Sequence, residues 1–462
     1  MFTDAVGQQA ALLLPDAPQA VDRISSSTVL STVAFLSSDE MAGRNTPSRE
    51  LNIAAAYVAA RFHGAGLEGL GDGGTFYQTH NFDTVQLPPP ESAMLKKPDG
   101  TLVSVFGVIP GSKSMEQSPV IVVGPEQLAS PKTSADSDPP CCVILSEFNV
   151  PPTASQRPTA VLSACRRHVD AVARAGAAVV LLECQPDSLL PELLAGLQDR
   201  SLPADSVPPS PCSILLVRSG SVTPGDPMML TCPATDRIPN PVRNVIGVVR
   251  GRDPKLSEEA VFVTAHLDHI GTTDFGPDHI NNGADDNATG VTAVVTLADS
   301  FAALSVKPRR SVVFMTFWGE EKGLRGSREF VKQPLWPLPK IRADINIEMV
   351  GRPEQGAENK IWMTGWRHSR LGELMNAGAA RVGVEVFDRK DVGEMLYTRS
   401  DNYAFVEKGV VAHSFSAGSL HTDYHQPTDE WEKLNIAHMT QVIRGLFAGV
   451  LHVAESDEPV AQ

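Results

Sequence analysis

The stretch from Arg243 to His452 constrains the fold most, because strand-like and helix-like patterns alternate along it. Val261–Ala265 and Ser311–Phe317 are near-continuous apolar or β-branched runs of the kind found in buried parallel strands. Between them, Asn287 to Leu304 carries Val291, Val294, Val295, Ala298, Phe301 and Leu304 at helical spacing. Ala343–Ile347 alternates apolar and polar residues, and Val410–Phe415 is a further strand candidate interrupted by His413. The pattern predicts an α/β sandwich over residues 242–455.

The remainder divides by composition. Residues 1–86 read as a mostly helical segment, with helices expected at Thr28–Leu36 and Glu50–Leu67 and a break at Gly64–Gly66. Residues 87–241 are rich in Pro and Ser (LPPP, SDPPCC, VPPSPC) and hold short β-type runs at Val120–Val123, Val143–Leu145 and Ile214–Val217. A helical stretch, Ala164–Ala177, leads into strand-like Ala178–Leu182, so a small β-rich α+β domain is expected as an insertion. All six cysteines (Cys141, Cys142, Cys165, Cys184, Cys212, Cys232) fall in this segment, without CxxC spacing or a neighbouring His cluster. They are expected to be small buried hydrophobes, with disulfides open to an oxidising compartment. Residues 456–462 are expected to fray.

Charge narrows the function. The 462 residues carry 39 Lys+Arg against 54 Asp+Glu, a net −15, which disfavours nucleic acid as a partner. No run approaches the roughly 20 apolar residues of a membrane span. The start, MFTDAVGQQAALLLPDA, has no basic residue before Arg23 and too short an apolar run for an export signal. A cytoplasmic location is the default expectation, and a secreted or periplasmic one stays open if a signal was removed.

Open α/β sheets bind ligands beyond the carboxyl ends of their strands. After Val261–Ala265 come His266, Asp268 and His269; before the Asn287 helix come Asp285 and Asp286. After Ser311–Phe317 come Glu320 and Glu321, after Ala343–Ile347 comes Glu348, and beyond Val410–Phe415 come His421, Asp423, Tyr424 and His425. Burying so many acids without a cation would cost several kcal/mol each, so a metal is the simplest expectation. Nitrogen and carboxylate ligands without thiolate suit zinc or a similar metal. Two zinc ions fit better than one, since three carboxylates and a bridging hydroxide would nearly neutralise the pair. Glu320 and Glu321, read on extended backbone, would point opposite ways, so that one binds metal while the other faces water.

AHLDHIG, NNGADDNATGV, FMTFWGEEKGLRGSREFV, NIEMVGR, TRSDNYAF and DYHQPTDEWEKLN resemble, in order, the successive motifs of the M28 zinc peptidase family over about residues 243–455. LSSDEMAGRNTP and HGAGLEGLGDGGTFYQ resemble the N-terminal segment of its bacterial members, and the inserted segment resembles a protease-associated domain. The resemblance implies a mixed, mostly parallel sheet sandwiched by helices and a metal-dependent exopeptidase, with aminopeptidase action expected on peptide substrates. It implies two zinc ions held by His266, Asp285, Glu321, Glu348 and His425, with Asp285 bridging and a cis peptide joining Asp285 to Asp286. It implies Glu320 as the general base acting on a di-zinc-bound hydroxide, Asp268 orienting His266, Tyr424 steadying the oxyanion and Arg399 holding the substrate backbone.

Two positions depart from the family. Glu348 stands where the familiar aminopeptidases have Asp, which puts metal spacing in question, and Asn402 stands where many relatives have His. His269, His279, His413 and His421 are left over and read as structural or supporting. A serine hydrolase is disfavoured by the lack of a GxSxG elbow, and a thermolysin-like protease by the lack of HExxH. Glutaminyl cyclase or carboxypeptidase action on the same scaffold remains an alternative. A non-catalytic receptor-like binding protein is the remaining one.

Overall fold

The computed structural model describes residues 14–125, 141–145, 158–185, 189–198, 202–204, 212–273, 276–418 and 420–461. The expectation about export falls on residues 1–13, outside the described residues, as do parts of SDPPCC and VPPSPC. The described chain forms two compact units, Met1–His80 with Pro241–Gln462, and Asn81–Asn240.

The first unit is a mixed α/β layer structure. We label its strands β1 (Tyr77–Val85), β2 (Arg237–Val249), β3 (Ala260–His266), β4 (Ser311–Phe317), β5 (Ile341–Ile347), β6 (Lys360–Met363), β7 (Glu385–Asp388) and β8 (Ala412–Ser416). They run in the order β7-β6-β8-β5-β3-β4-β2-β1. β4, β3, β5 and β8 are mutually parallel neighbours, whereas β2 lies antiparallel to β4 and β6 antiparallel to β8. The chain leaves this unit along β1 and returns along β2. Every residue of β3 and β4 is buried, as the apolar runs predict for central parallel strands.

The helices are α1 (Ser26–Leu36), α2 (Arg49–Ala65), α3 (Gly290–Ala302), α4 (Arg325–Lys332), α5 (Leu371–Ala379) and α6 (Ile436–Glu455). Ser25 and Ser48 cap α1 and α2 by accepting from Thr28 N and Leu51 N, and Gly66 ends α2 in the left-handed conformation at φ 82°. Alternation along β4 sorts the layers. Phe314 packs on Phe62 of α2 and Phe301 of α3, while Phe317 packs on Phe405 on the other face beside Phe330 of α4. α6 is long and apolar enough to cross a membrane by length and composition, but 72% of its most apolar window is buried within the fold, as in a core helix.

Three local expectations change. β1 is a strand within a segment read as mostly helical, its inner positions Gln78, His80, Phe82 and Thr84 alternating with the exposed or half-buried Tyr77, Thr79, Asn81 and Asp83. Glu320 and Glu321 sit in a turn after β4, with Gly319 at φ 69° and Leu324 at φ 58°, and not on extended backbone. The end of the chain is held down: Arg310 donates to Ser456 O at 2.7 Å, Arg370 N to Val460 O at 2.8 Å, and Val460 is buried.

The second unit is a small α+β fold. Its mixed sheet places Pro227–Cys232, Met115–Val123, Cys141–Leu145, Val179–Cys184, Ser213–Arg218 and Val105–Ile109 in that order, the middle four parallel. Helices Pro158–Arg174 and Leu190–Gln198 supply Val161, Leu162, Val169, Leu190, Leu194 and Leu197 to the core on one face. Cys142, Cys165, Cys184, Cys212 and Cys232 are buried, and the Cys141 side chain lies outside the described residues.

Candidate metal centre and active site

The carboxyl ends of β3, β4, β5 and β8 bring the predicted residues together. His266 is the last residue of β3, Glu320 and Glu321 follow β4, Glu348 follows β5, and the loop after β8 delivers Tyr424 and His425. A turn at Ala284–Thr289, just before α3, presents Asp285 and Asp286.

Asp286 stands at the centre. Its Oδ1 lies 3.3 Å from His266 Nε2, which is itself 3.2 Å from Glu348 Oε2. Its Oδ2 lies 3.1 Å from His425 Nε2 and 3.8 Å from His269 Nδ1. Both of those imidazoles lie 3.1 Å from Glu321 Oε1. Two groups thus share one carboxylate: His269–Asp286–Glu321–His425 and His266–Asp286–Glu348.

This geometry replaces one expectation. Asp285 does not stand between the groups. Its Oδ1 accepts from Gly351 N at 2.8 Å and its Oδ2 faces His421 Nε2 at 3.3 Å. The reason is local backbone: Asp286 and Asn287 leave helical geometry (φ −106°, ψ 95° and φ −131°, ψ 40°), which turns Asp286 inward. The cis peptide correspondingly joins Asp286 to Asn287. His269, read from sequence as a leftover, belongs to the cluster; the three-residue spacing HLDH was the signal for it. His279 is exposed and pairs with Thr273 O, His413 is buried against Ser369 and Thr364 O, and His421 supports Asp285.

The surrounding bonds orient the donors. His266 Nδ1 donates to the Asp268 carbonyl at 3.1 Å, which leaves the Nε2 lone pair facing Asp286 and Glu348. The Asp268 carboxylate lies farther off, at 3.9 Å, and accepts instead from Thr46 Oγ1 and Glu320 N, each at 3.0 Å. Asp268 therefore positions His266 through its backbone. Glu348 has its extra methylene accommodated by Asn346 Nδ2 at 2.8 Å and Ser400 Oγ at 2.5 Å, both on Oε1, so that Oε2 turns to His266 and Asn287. Asp429, which the sequence reading missed, accepts from the backbone N–H of Asp285 and Asp286 and holds their turn.

Arg44 was also missed. Fully buried, it donates to the carbonyls of Leu267, Asn282, Gly283 and Leu36, tying the His266–His269 loop to the Asp286 turn. Burial lowers its guanidinium to about 10, against the opposing charges of Asp268, Asp286, Asp429 and Glu321.

Several donor atoms here lack hydrogen-bond partners although buried: both His269 nitrogens, Glu321 Oε1 and His425 Nε2. Buried polar atoms are rarely left so, and a cation is what such a donor set fits. Corners of a tetrahedron around zinc lie about 3.3–3.4 Å apart. The observed 3.1, 3.1, 3.1 and 3.8 Å in one group, and 3.2 and 3.3 Å in the other, are of that size.

A cavity of about 280 Å³ opens beside the second group, lined by His266, Asp286, Glu320, Glu348 and Tyr424, with apolar walls from Met349, Trp362, Val392, Met395, Leu396 and Leu420. Arg399 reaches its wall from an exposed position. Glu320 belongs to neither ligand group. Burial pushes its carboxyl well above the usual range, opposed by His266 and helped by the charges of Asp401, Glu321 and Glu348. The Tyr424 ring stacks on His425 at 3.9 Å, and burial with nearby carboxylates pushes its phenol up, so it stays a neutral donor.

Residues 244–449 match the model of peptidase family M28. The α/β unit carries this match to the M28 peptidase family. Aminopeptidase YwaD of Bacillus subtilis is 26% identical over 223 residues, 47% of this chain and 46% of that protein. A probable glutamate carboxypeptidase of Arthroderma benhamiae is 28% identical over 249 residues, 47% of this chain and 31% of its own. The chain therefore aligns with about half the length of the first relative and a third of the second. The aminopeptidase from Aneurinibacillus sp. strain AM-1 superposes over 96% of this chain and 98% of its own, with TM-score 0.52 and 18% identity. A zinc aminopeptidase from Bacillus subtilis does so over 94% and 96%, with the same score and identity, and both likenesses concern the fold.

Proposed function

We propose that this protein is a zinc-dependent aminopeptidase that removes N-terminal residues from peptides at a two-ion site. The observation that carries the reading is Asp286, shared between two histidine–carboxylate groups, with a non-ligating Glu320 on the wall of the adjoining cavity. His269, Asp286, Glu321 and His425 would hold one ion, and His266, Asp286 and Glu348 the other. When bound, zinc would polarise the scissile carbonyl and lower the pKa of water.

The chain's own residues supply the rest. Glu320 accepts the proton of the attacking water at a carboxylate oxygen and returns it to the leaving amine nitrogen; its raised proton affinity suits both transfers. The Tyr424 phenol donates to the oxygen that gains negative charge. The apolar walls exclude water and receive the side chain of the released residue. The kinds of activity named for the two relatives, aminopeptidase and carboxypeptidase, both fall within the exopeptidase class.

Arg399 favours one alternative. Among the described residues it has no ion-pair partner, and a cation on the cavity wall could receive a substrate carboxylate, as carboxypeptidase action requires. Product mapping by mass spectrometry separates the readings. Zinc-loaded protein is given peptides with free or acetylated N-termini. Stepwise loss of N-terminal residues from free peptides alone is expected. Loss from the C-terminus, or loss of ammonia from N-terminal Gln, would overturn the aminopeptidase assignment.

A further inference from the structure

The two ligand groups differ in number and in whether they border the cavity. Four side chains converge at His269, two of them imidazoles, and three converge at His266. His269 is wholly buried, its Nδ1 is 3.1 Å from Glu321 Oε1, and neither of its nitrogens has a hydrogen-bond partner. It stands with His425 on the Glu321 side of Asp286, ring centroids 5.4 Å apart. The groups also differ in what they border: His425 keeps 32% of its side chain open to solvent, while the cavity meets the other group. Among the described residues the cavity wall includes His266, Asp286 and Glu348, and does not include His269, Glu321 or His425.

Zinc held by four protein ligands is of the structural kind, whereas three ligands leave a corner for water or substrate. We infer that the two ion positions are unequal: His269 completes a four-ligand position that retains its zinc, and the His266–Asp286–Glu348 position is the exchangeable one that meets substrate. The inference rests on the zinc reading proposed above and adds a division of labour within it. A fourth ligand slows release because an ion must break more bonds at once to leave. An open corner lets a competing chelator add before any protein ligand departs.

The test is zinc release from the full chain, loaded with zinc and challenged with excess chromophoric chelator. Ions remaining per chain are counted by native mass spectrometry. The wild type should lose one ion quickly and the second at least about tenfold more slowly. His269→Ala should speed the slow phase at least about tenfold, since even groups behind the ligands change metal affinity by about 10–100-fold. Glu348→Gln should speed the fast phase alone. Equal phases in the wild type, or an unchanged slow phase in a folded His269→Ala, would overturn the inference. Should circular dichroism show that His269→Ala does not fold, wild-type apoprotein with one equivalent of cobalt decides. Two hyperfine-shifted imidazole N–H resonances, from His269 and His425, support the inference, and a single one from His266 overturns it. A wild type that binds no zinc at all would instead overturn the zinc reading.

Discussion

In the 81–240 unit, the faces of the sheet are filled by aliphatic side chains and five cysteines, and among the described residues Arg166 is its one buried charge. At the strand ends of the α/β unit and in the sheet interior behind them, His266, Asp268, His269, Asp285, Asp286, Asp344, Asp401 and Asp429 are all buried. The first interior gains stability from apolar burial, at roughly 25 cal/mol per Å². The second spends stability on desolvating charge, and such clusters occur where a function requires them. Glu320, Asp344 and Asp401 all show the strain: burial drives each carboxyl upward, Asp344 to about 8 and Asp401 to about 7. A chain does not keep such a region by packing alone. Its cost is the physical argument that cations belong there.

The sharpest way to test this contrast is Glu320→Gln. The substitution keeps shape and removes the proton acceptor, so turnover should fall about 10²–10⁴-fold while zinc content stays unchanged. Full activity would remove Glu320 from its role. A stability effect should come next. Arg44→Met strands the carbonyls of Leu267, Asn282 and Leu36, at about 1–3 kcal/mol for each group left unpaired, while Gly283 O keeps the Ala288 N–H. Arg166→Met in the other unit removes the Arg166 hydrogen bonds to Cys212 O and Pro110 O, and Pro110 O keeps Thr235 Oγ1 at 2.8 Å. Denaturant midpoints should therefore drop farther for Arg44→Met, and only that variant should also lose zinc affinity. The reverse ranking would break the contrast.

Asp344→Asn should act more modestly and with a pH signature. The folded carboxyl stays protonated to about pH 8 through burial, which outweighs the Thr264 hydrogen bond, whereas the unfolded one ionises near about 4. Between those limits the unfolded state holds fewer protons, so wild-type stability declines as pH rises. The Asn variant lacks that decline. Thermal melts should diverge in its favour from pH 4 towards pH 8, and a constant offset would contradict the assignment. The smallest effect is expected in the apolar interior. Burial pushes the Cys165 and Cys212 thiols up to about 12. Ellman's reagent should find Cys165 unreactive in the native protein at pH 8 and reactive after denaturation.

Legibility followed physical cause. β3 and β4 were readable because strands buried on both faces cannot avoid continuous apolar runs. Glu320, Glu321 and Glu348 were readable because the carboxyl end of a parallel strand leads into a binding crevice. Asp285 and Asp286 could not be told apart, since which of two adjacent acids faces inward is decided by backbone angles at the turn. His269 was passed over because a single imidazole in a loop is usually structural, and its meaning comes from His425, more than 150 residues away. β6 and β7, four residues each, were too short to announce themselves. The tail read as frayed because its docking depends on Arg310, Arg342 and Arg370 elsewhere in the fold.

The central claim is that one carboxylate, Asp286, serves two cations. Native mass spectrometry of zinc-loaded wild type and Asp286→Asn addresses it most directly, with circular dichroism to establish folding. Two zinc ions in the wild type and loss of both from the folded variant are predicted. A folded Asp286→Asn that still carries two ions, or a wild type that carries none, would contradict it.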